Sequence, residues 1–195
     1  MLYNMSKVLY SRDSVNFPWV NFVHNTLNSL GLSYYFLENV VPSPAYFKSL
    51  VNTRLKDQFQ QNWHNTVEST SKCLNYRIYK ESLEIEKYFS ILPLDLSLMF
   101  CKFRCMGHKM PIEIGRYMDI ERNLRYCHLC DKDLLGDEFH YLFDCMFFNN
   151  ERKIYLKRFY WVHPNAVKFK EIMCSSDKTS LLKLAIFCKK IMSAL

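Results

Sequence analysis

The chain has 195 residues, 49% of them hydrophobic and 16% aromatic, with a formal net charge of +7. That is enough apolar chain for one domain or two small ones, while only 4 Gly and 6 Pro argue against a turn-rich β sandwich or a disordered tail. The moderate positive excess suits an anionic partner, and equally a basic protein with none. No apolar run approaches the roughly 20 residues of a membrane span, and the start MLYNMSKVLYSRD lacks the apolar core of a signal peptide. The eight cysteines are therefore read in a reducing, intracellular compartment, where metal binding is favoured over disulfides.

In chain order, Ser14 to Leu30 is predicted as a helix, with Pro18 in its first turn and Trp19, Phe22, Val23, Leu27 and Leu30 at helical spacing up to a stop at Gly31. Val40 to Pro44 is a linker. Ser43 then caps a long amphipathic helix opened by Pro44, with Phe47, Leu50, Val51, Leu55, Phe59 and Trp63 on its stripe. A further helical stretch runs from Tyr76 to Leu92. Pro93 opens another, through Leu94, Leu98, Cys101 and Cys105 to Gly107. His108 to Tyr117 is an irregular basic stretch, and Arg125 to Cys145 a cysteine segment. Helical regions over Phe147 to Tyr160 and Leu181 to Met192 complete the chain. The expected fold is mostly α, a helical domain with a small CCHC zinc knuckle and little or no β. Residues 1–100 form an N-terminal helical region, and 101–195 join the basic stretch, the knuckle and the C-terminal helices as one compact unit.

Cys127, Cys130, His140 and Cys145 follow the pattern C-x2-C-x9-H-x4-C. The C-x2-C pair delivers two thiolates from one tight turn, and His140 with Cys145 completes a tetrahedral set for Zn2+. Gly136 suits a turn and Asp137 an N-cap, which places His140 in the first turn of a helix. Tyr141, Leu142 and Phe143 would dock this knuckle on the helical body. Four protein ligands leave no site for water, so the metal is expected to be structural, contributing on the order of 10 kcal/mol to local folding. Arg122 and Arg125 would offset its formal negative charge. His128, inside the C-x2-C turn, is a rival ligand. Cys101, Cys105 and His108 form a weaker cluster better read as core packing, and Cys73, Cys174 and Cys188 read as isolated and buried.

The runs Phe103-Arg104, Gly107 to Tyr117, Arg122 to Cys130 and Gly136 to Cys145 resemble the C-terminal segment of LINE-type (non-LTR) retrotransposon reverse transcriptase polyproteins. Pieces around Trp19, Leu30 to Ser33, Asp57 to Trp63 and Tyr76 to Lys80 extend the resemblance back to about Phe17. It implies a zinc knuckle that follows the polymerase and helps to bind the element's RNA or target DNA. The chain carries no Tyr-x-Asp-Asp polymerase motif and no readable nuclease constellation. The resemblance thus implies a detached piece without polymerase activity, whose partner in the parent polyprotein would be a polymerase domain.

Basic residues beside aromatics suit phosphate contacts with base stacking, and so RNA or single-stranded DNA. Arg104, His108, Lys109, Arg116, Arg122 and Arg125 precede or enter the cysteine segment, and Arg152, Lys153, Lys157 and Arg158 follow it next to Phe159, Tyr160 and Trp161. The knuckle loop is acidic, with Asp131, Asp133, Asp137 and Glu138, so these flanks are the expected surface. A Glu113–Arg116 pair holding the irregular loop is the structural alternative. The function expected is a non-catalytic, zinc-dependent nucleic-acid-binding module with no enzyme activity and no membrane partner. The alternative is a protein-interaction fragment or non-functional remnant, exposing Phe147 and Trp161 where a polymerase core would pack.

Overall fold

The computed structural model describes residues 18–38 and 40–195, including every side chain there except that of Cys73. Residues 14–17 of the first expected helix, and the expected burial of Cys73, lie outside the described residues. Among those described the protein is helical, and its β structure is a single antiparallel bridge between Tyr126 and Leu135. None of the described helices is long and apolar enough to cross a membrane. The chain divides into two compact units, Met1–His64 and Asn65–Leu195.

In the first unit, α1 (Pro18–Ser29), α2 (Ser33–Leu37) and the start of α3 (Pro44–Ser69) enclose a small core. Val20, Leu27, Leu30, Leu32 and Phe36 are buried, with Phe47, Leu50 and Val51 packed against them. Ser43 caps α3 as expected, accepting the Tyr46 N–H at 3.4 Å. Trp19, Phe22, Leu55 and Phe59 depart from the expected stripes and face solvent. Val20, Val23 and Leu27 already make an i, i+3, i+7 line, and Trp19 and Phe22 fall one position off it.

The second unit is organised around α12 (Lys178–Ser193), whose Leu181, Leu184, Ala185, Phe187, Cys188 and Ile191 are completely buried. Each large apolar side chain so buried contributes about 1.5–3 kcal/mol. Against it pack α6 (Leu94–Arg104) and α9 (Asn149–Tyr155). In α6 the buried face is Ser97, Phe100, Phe103 and Arg104, not the expected Leu94–Leu98 line, because the two phenylalanines have more apolar surface to hide. Cys105 is accordingly exposed, beyond the end of that face. Cys174 is also exposed rather than buried. The helix ends with Met106 at φ 56°, and the Gly107 N–H reaches back to the Lys102 carbonyl at 2.7 Å, so the left-handed position is one residue before the expected glycine.

Three other expectations are revised. Tyr76 to Leu92 is not continuous: α4 (Tyr76–Tyr79) and α5 (Tyr88–Ile91) flank a loop in which Lys80 Nζ donates to the Glu84 carbonyl and pairs with Glu86. The sequence between them, Lys80 to Lys87, has only Leu83 and Ile85 as apolar residues, and both are exposed, so no buried face sustains a helix there. His108 to Tyr117 is not irregular throughout, since Pro111 opens α7 (Pro111–Tyr117). Phe147 to Tyr160 breaks at the extended Leu156 into α9 and α10 (Arg158–Trp161), and α11 (Ala166–Met173), capped by Asn165, follows.

Candidate metal centre

Local chemistry builds the cysteine segment as a hairpin followed by a capped helix. The Cys127 N–H donates to the Leu134 carbonyl at 2.8 Å and the Gly136 N–H to the Arg125 carbonyl at 2.9 Å, closing the hairpin around Cys127 and Cys130. Asp137 then caps α8 (Glu138–Phe143), its carboxylate accepting the His140 N–H at 2.9 Å. This places His140 in the first turn, as its flanking residues predicted. Tyr141, Leu142 and Phe143 are buried in the core, so the segment is docked by its own sequence.

The four expected ligands converge. The ligand atoms of Cys127, Cys130, His140 and Cys145 all lie within 4.8 Å of one another. Cys127 Sγ stands 3.8 Å from Cys145 Sγ, and Cys130 Sγ 3.4 Å from His140 Nε2. Two thiolates about 2.3 Å from a tetrahedral ion stand about 3.8 Å apart, and a thiolate and an imidazole nitrogen about 3.5 Å apart. Those two separations match tetrahedral ligation, and the four groups together could hold one metal ion. His128 is exposed in the turn and is not among the converging groups.

The protonation states suit ligation. Burial holds the His140 imidazole below its ordinary value, so it is neutral near pH 7 and keeps a lone pair, while Nδ1 is buried without a hydrogen-bond partner. Burial raises the Cys127 thiol, but hydrogen bonds outweigh it and bring the group below the usual range; one is from the Leu129 N–H to its sulfur at 3.4 Å. Burial pushes Cys145 up to about 12, so an ion binding there displaces a proton.

Behind the ligands lies a buried polar network that sequence reasoning missed. His108 Nε2 meets Glu138 Oε1 at 2.6 Å, with both side chains fully inaccessible. Asn75 donates to Glu138 at 2.6 Å and to Asp137 at 3.2 Å. The helix that presents His140 is thus tied at its first turn to two distant segments. At its other end Arg152 donates to the carbonyls of Leu142 and Cys145, each at 2.7 Å, filling acceptors that a helix terminus leaves open. Arg152, rather than Arg122 or Arg125, is the cation hydrogen-bonded into the cluster. Two glycines permit the same close packing: a Cβ on Gly136 would stand 2.8 Å from Pro111 Cγ, and one on Gly115 2.6 Å from Arg125 Cγ.

The expected nucleic-acid residues separate into three groups. Arg104, His108 and Arg152 are internal and are corrected as surface contacts. Arg104 lies under the rings of Tyr79, Tyr88 and Phe100, pairs with Glu86 at 2.9 Å and donates to the Met173 carbonyl. Arg116 and Arg125 are engaged at half-buried positions, Arg116 with Glu113 at 3.1 Å and Arg125 with the carbonyls of Ile112 and Ile120. Arg122 is exposed, 4.0 Å from Asp137. Lys109, Lys153, Lys157 and Arg158 are exposed. No signal in the sequence marked Asn75, while Glu138 stood out only as one of the acids of the knuckle loop.

No family model, curated protein or solved structure matches the chain.

Proposed function

We propose that this chain is a non-catalytic zinc-binding module that binds RNA or single-stranded DNA, of the kind found at the C-terminal end of LINE-type reverse transcriptase polyproteins. The observation that carries the reading is the closed Cys3His cluster. Three thiols and an imidazole favour zinc over the harder magnesium or calcium. Four protein ligands leave no open position for water or substrate, which supports a structural rather than a catalytic ion. The His108–Glu138 and Gly136–Pro111 contacts join two of the four main runs that carried the resemblance, Gly107 to Tyr117 and Gly136 to Cys145, giving those residue types a common structural reason. The exposed cations after the cluster support a phosphate-bearing partner.

Elemental analysis of the purified wild type beside Cys127→Ser tests the metal: about one zinc per wild-type chain and a large loss in the variant is expected, and equal zinc in both sinks the site. Binding of a labelled single strand in low salt tests the partner. A second reading, a surface that packs on a polymerase domain, draws support from Met146, Phe147 and Ile154, all more than half exposed. Trp161 gives it none, being half-buried against the core.

A further inference from the structure

Three exposed lysines of the second unit converge on one cleft. Lys153 of α9, Lys157 just before α10, and Lys183 of α12 line a cavity of about 360 Å³. Lys183 had no prominence in the sequence; the fold carries it to the other two. Among the described residues none of the three forms an ion pair. The acid in the lining, Asp177, caps α12 by accepting the Ser180 N–H at 2.8 Å. Hydrogen bonds from Ser180, with Lys157 nearby, hold its carboxyl below the usual range, so it stays ionised and cancels one of the three cations. An excess of positive charge remains in a concave site, where low-dielectric walls focus the field on an incoming anion.

Resting on the reading above, we propose that this cleft receives the sugar–phosphate backbone of a single nucleic-acid strand, with the three lysines on neighbouring phosphates and the Thr179 hydroxyl beside them. Its volume is at the low end of the about 300–1,000 Å³ typical of small-molecule sites, which suits one strand's backbone. Flexible, hydrated ammonium groups make point-charge contacts to phosphate without demanding a base sequence. The cleft therefore selects for charge and strandedness rather than for sequence.

The test is fluorescence anisotropy with a labelled oligo(U) strand and the zinc-loaded full chain. The triple variant Lys153→Ala/Lys157→Ala/Lys183→Ala is expected to bind about tenfold more weakly or worse, and to flatten the slope of log affinity against log salt by about 2. Lys87→Ala/Lys102→Ala, which removes two exposed lysines elsewhere, is expected to stay within about twofold, and Lys→Arg at the three cleft positions to retain binding. Unchanged binding by the triple alanine variant overturns the cleft and leaves the nucleic-acid reading standing. No binding by the wild type at low salt overturns both. A duplex that binds more tightly than the single strand overturns the proposed occupant. So does triple-variant-sensitive binding to phosphatidylserine vesicles in place of the strand.

Discussion

Before the Cys3His cluster, three arginines turn toward the protein itself: Arg104 to Glu86 and Met173, Arg116 to Glu113, Arg125 to Ile112 and Ile120. After it, Lys153, Lys157 and Lys183 face solvent around a common cleft. The adjacent pair Arg152 and Lys153 carries the contrast within two residues, one buried on three carbonyls and the other exposed. A guanidinium fork satisfies several carbonyls at fixed geometry and sheds water readily, whereas an ammonium is strongly hydrated. Charge density along a sequence thus says less about a binding surface than where unfilled carbonyls lie when the chain folds.

The largest test of this contrast removes the proposed metal. If the first region is a brace for the cluster, stripping the ion by chelation should release residues 108–145 together, because a structural zinc contributes on the order of 10 kcal/mol to such a segment. Amide exchange is expected to rise sharply there while α12 stays protected by its buried face. Uniform loss of protection through α12 would mean that the cluster supports the whole unit rather than its own segment.

Next come the neighbouring residues of opposite use. Arg152→Ala leaves the carbonyls of Leu142 and Cys145 without their donor and is expected to cost about 3 kcal/mol in urea unfolding, whereas Lys153→Ala should change stability by less than about 0.5 kcal/mol. On strand binding the order should reverse for the same change at Lys153, provided Arg152→Ala remains folded. Equal stability losses would erase the distinction between the two regions. Gly136→Ala sits below these: a Cβ 2.8 Å from Pro111 Cγ forces the hairpin off α7, at a cost of about 1–3 kcal/mol by thermal unfolding.

The sequence reported the cluster well and its surroundings poorly, for one physical reason. Ligand spacing, the Asp137 cap and the Tyr141–Phe143 run are local, and a metal shell needs little else. The helical character of α1, α3, α6 and α12 was legible in the same local way, from periodicity and from Pro and Gly. What failed depended on distant partners. His108 looked basic and loop-borne, yet its mate Glu138 lies 30 residues on. Arg104 looked like a phosphate ligand until the rings of Tyr79 and Tyr88 closed over it. The face of α6 was misread because Leu94 and Leu98 repeat as regularly as Phe100 and Phe103, and only packing against α12 chooses between them.

The smallest effect concerns Asp177, the acid in the outward region. Its carboxyl is held below its ordinary value of 3.8 by hydrogen bonds from Ser180, so its folded state binds fewer protons than its unfolded state. Its contribution to stability is therefore fully present above 3.8 and lost as pH falls through its lower folded value. Asp177→Asn keeps a good N-cap for α12 but removes that titration, so its urea midpoint should fall less steeply with pH in this window than the wild type's. At neutral pH the same substitution leaves all three lysines of the cleft uncompensated, and it should tighten strand binding most at low salt. A variant with the flatter acid profile but weaker strand binding would show that the cap matters and the cleft's charge does not. That result would return the outward lysines to the status of a solvated helix face.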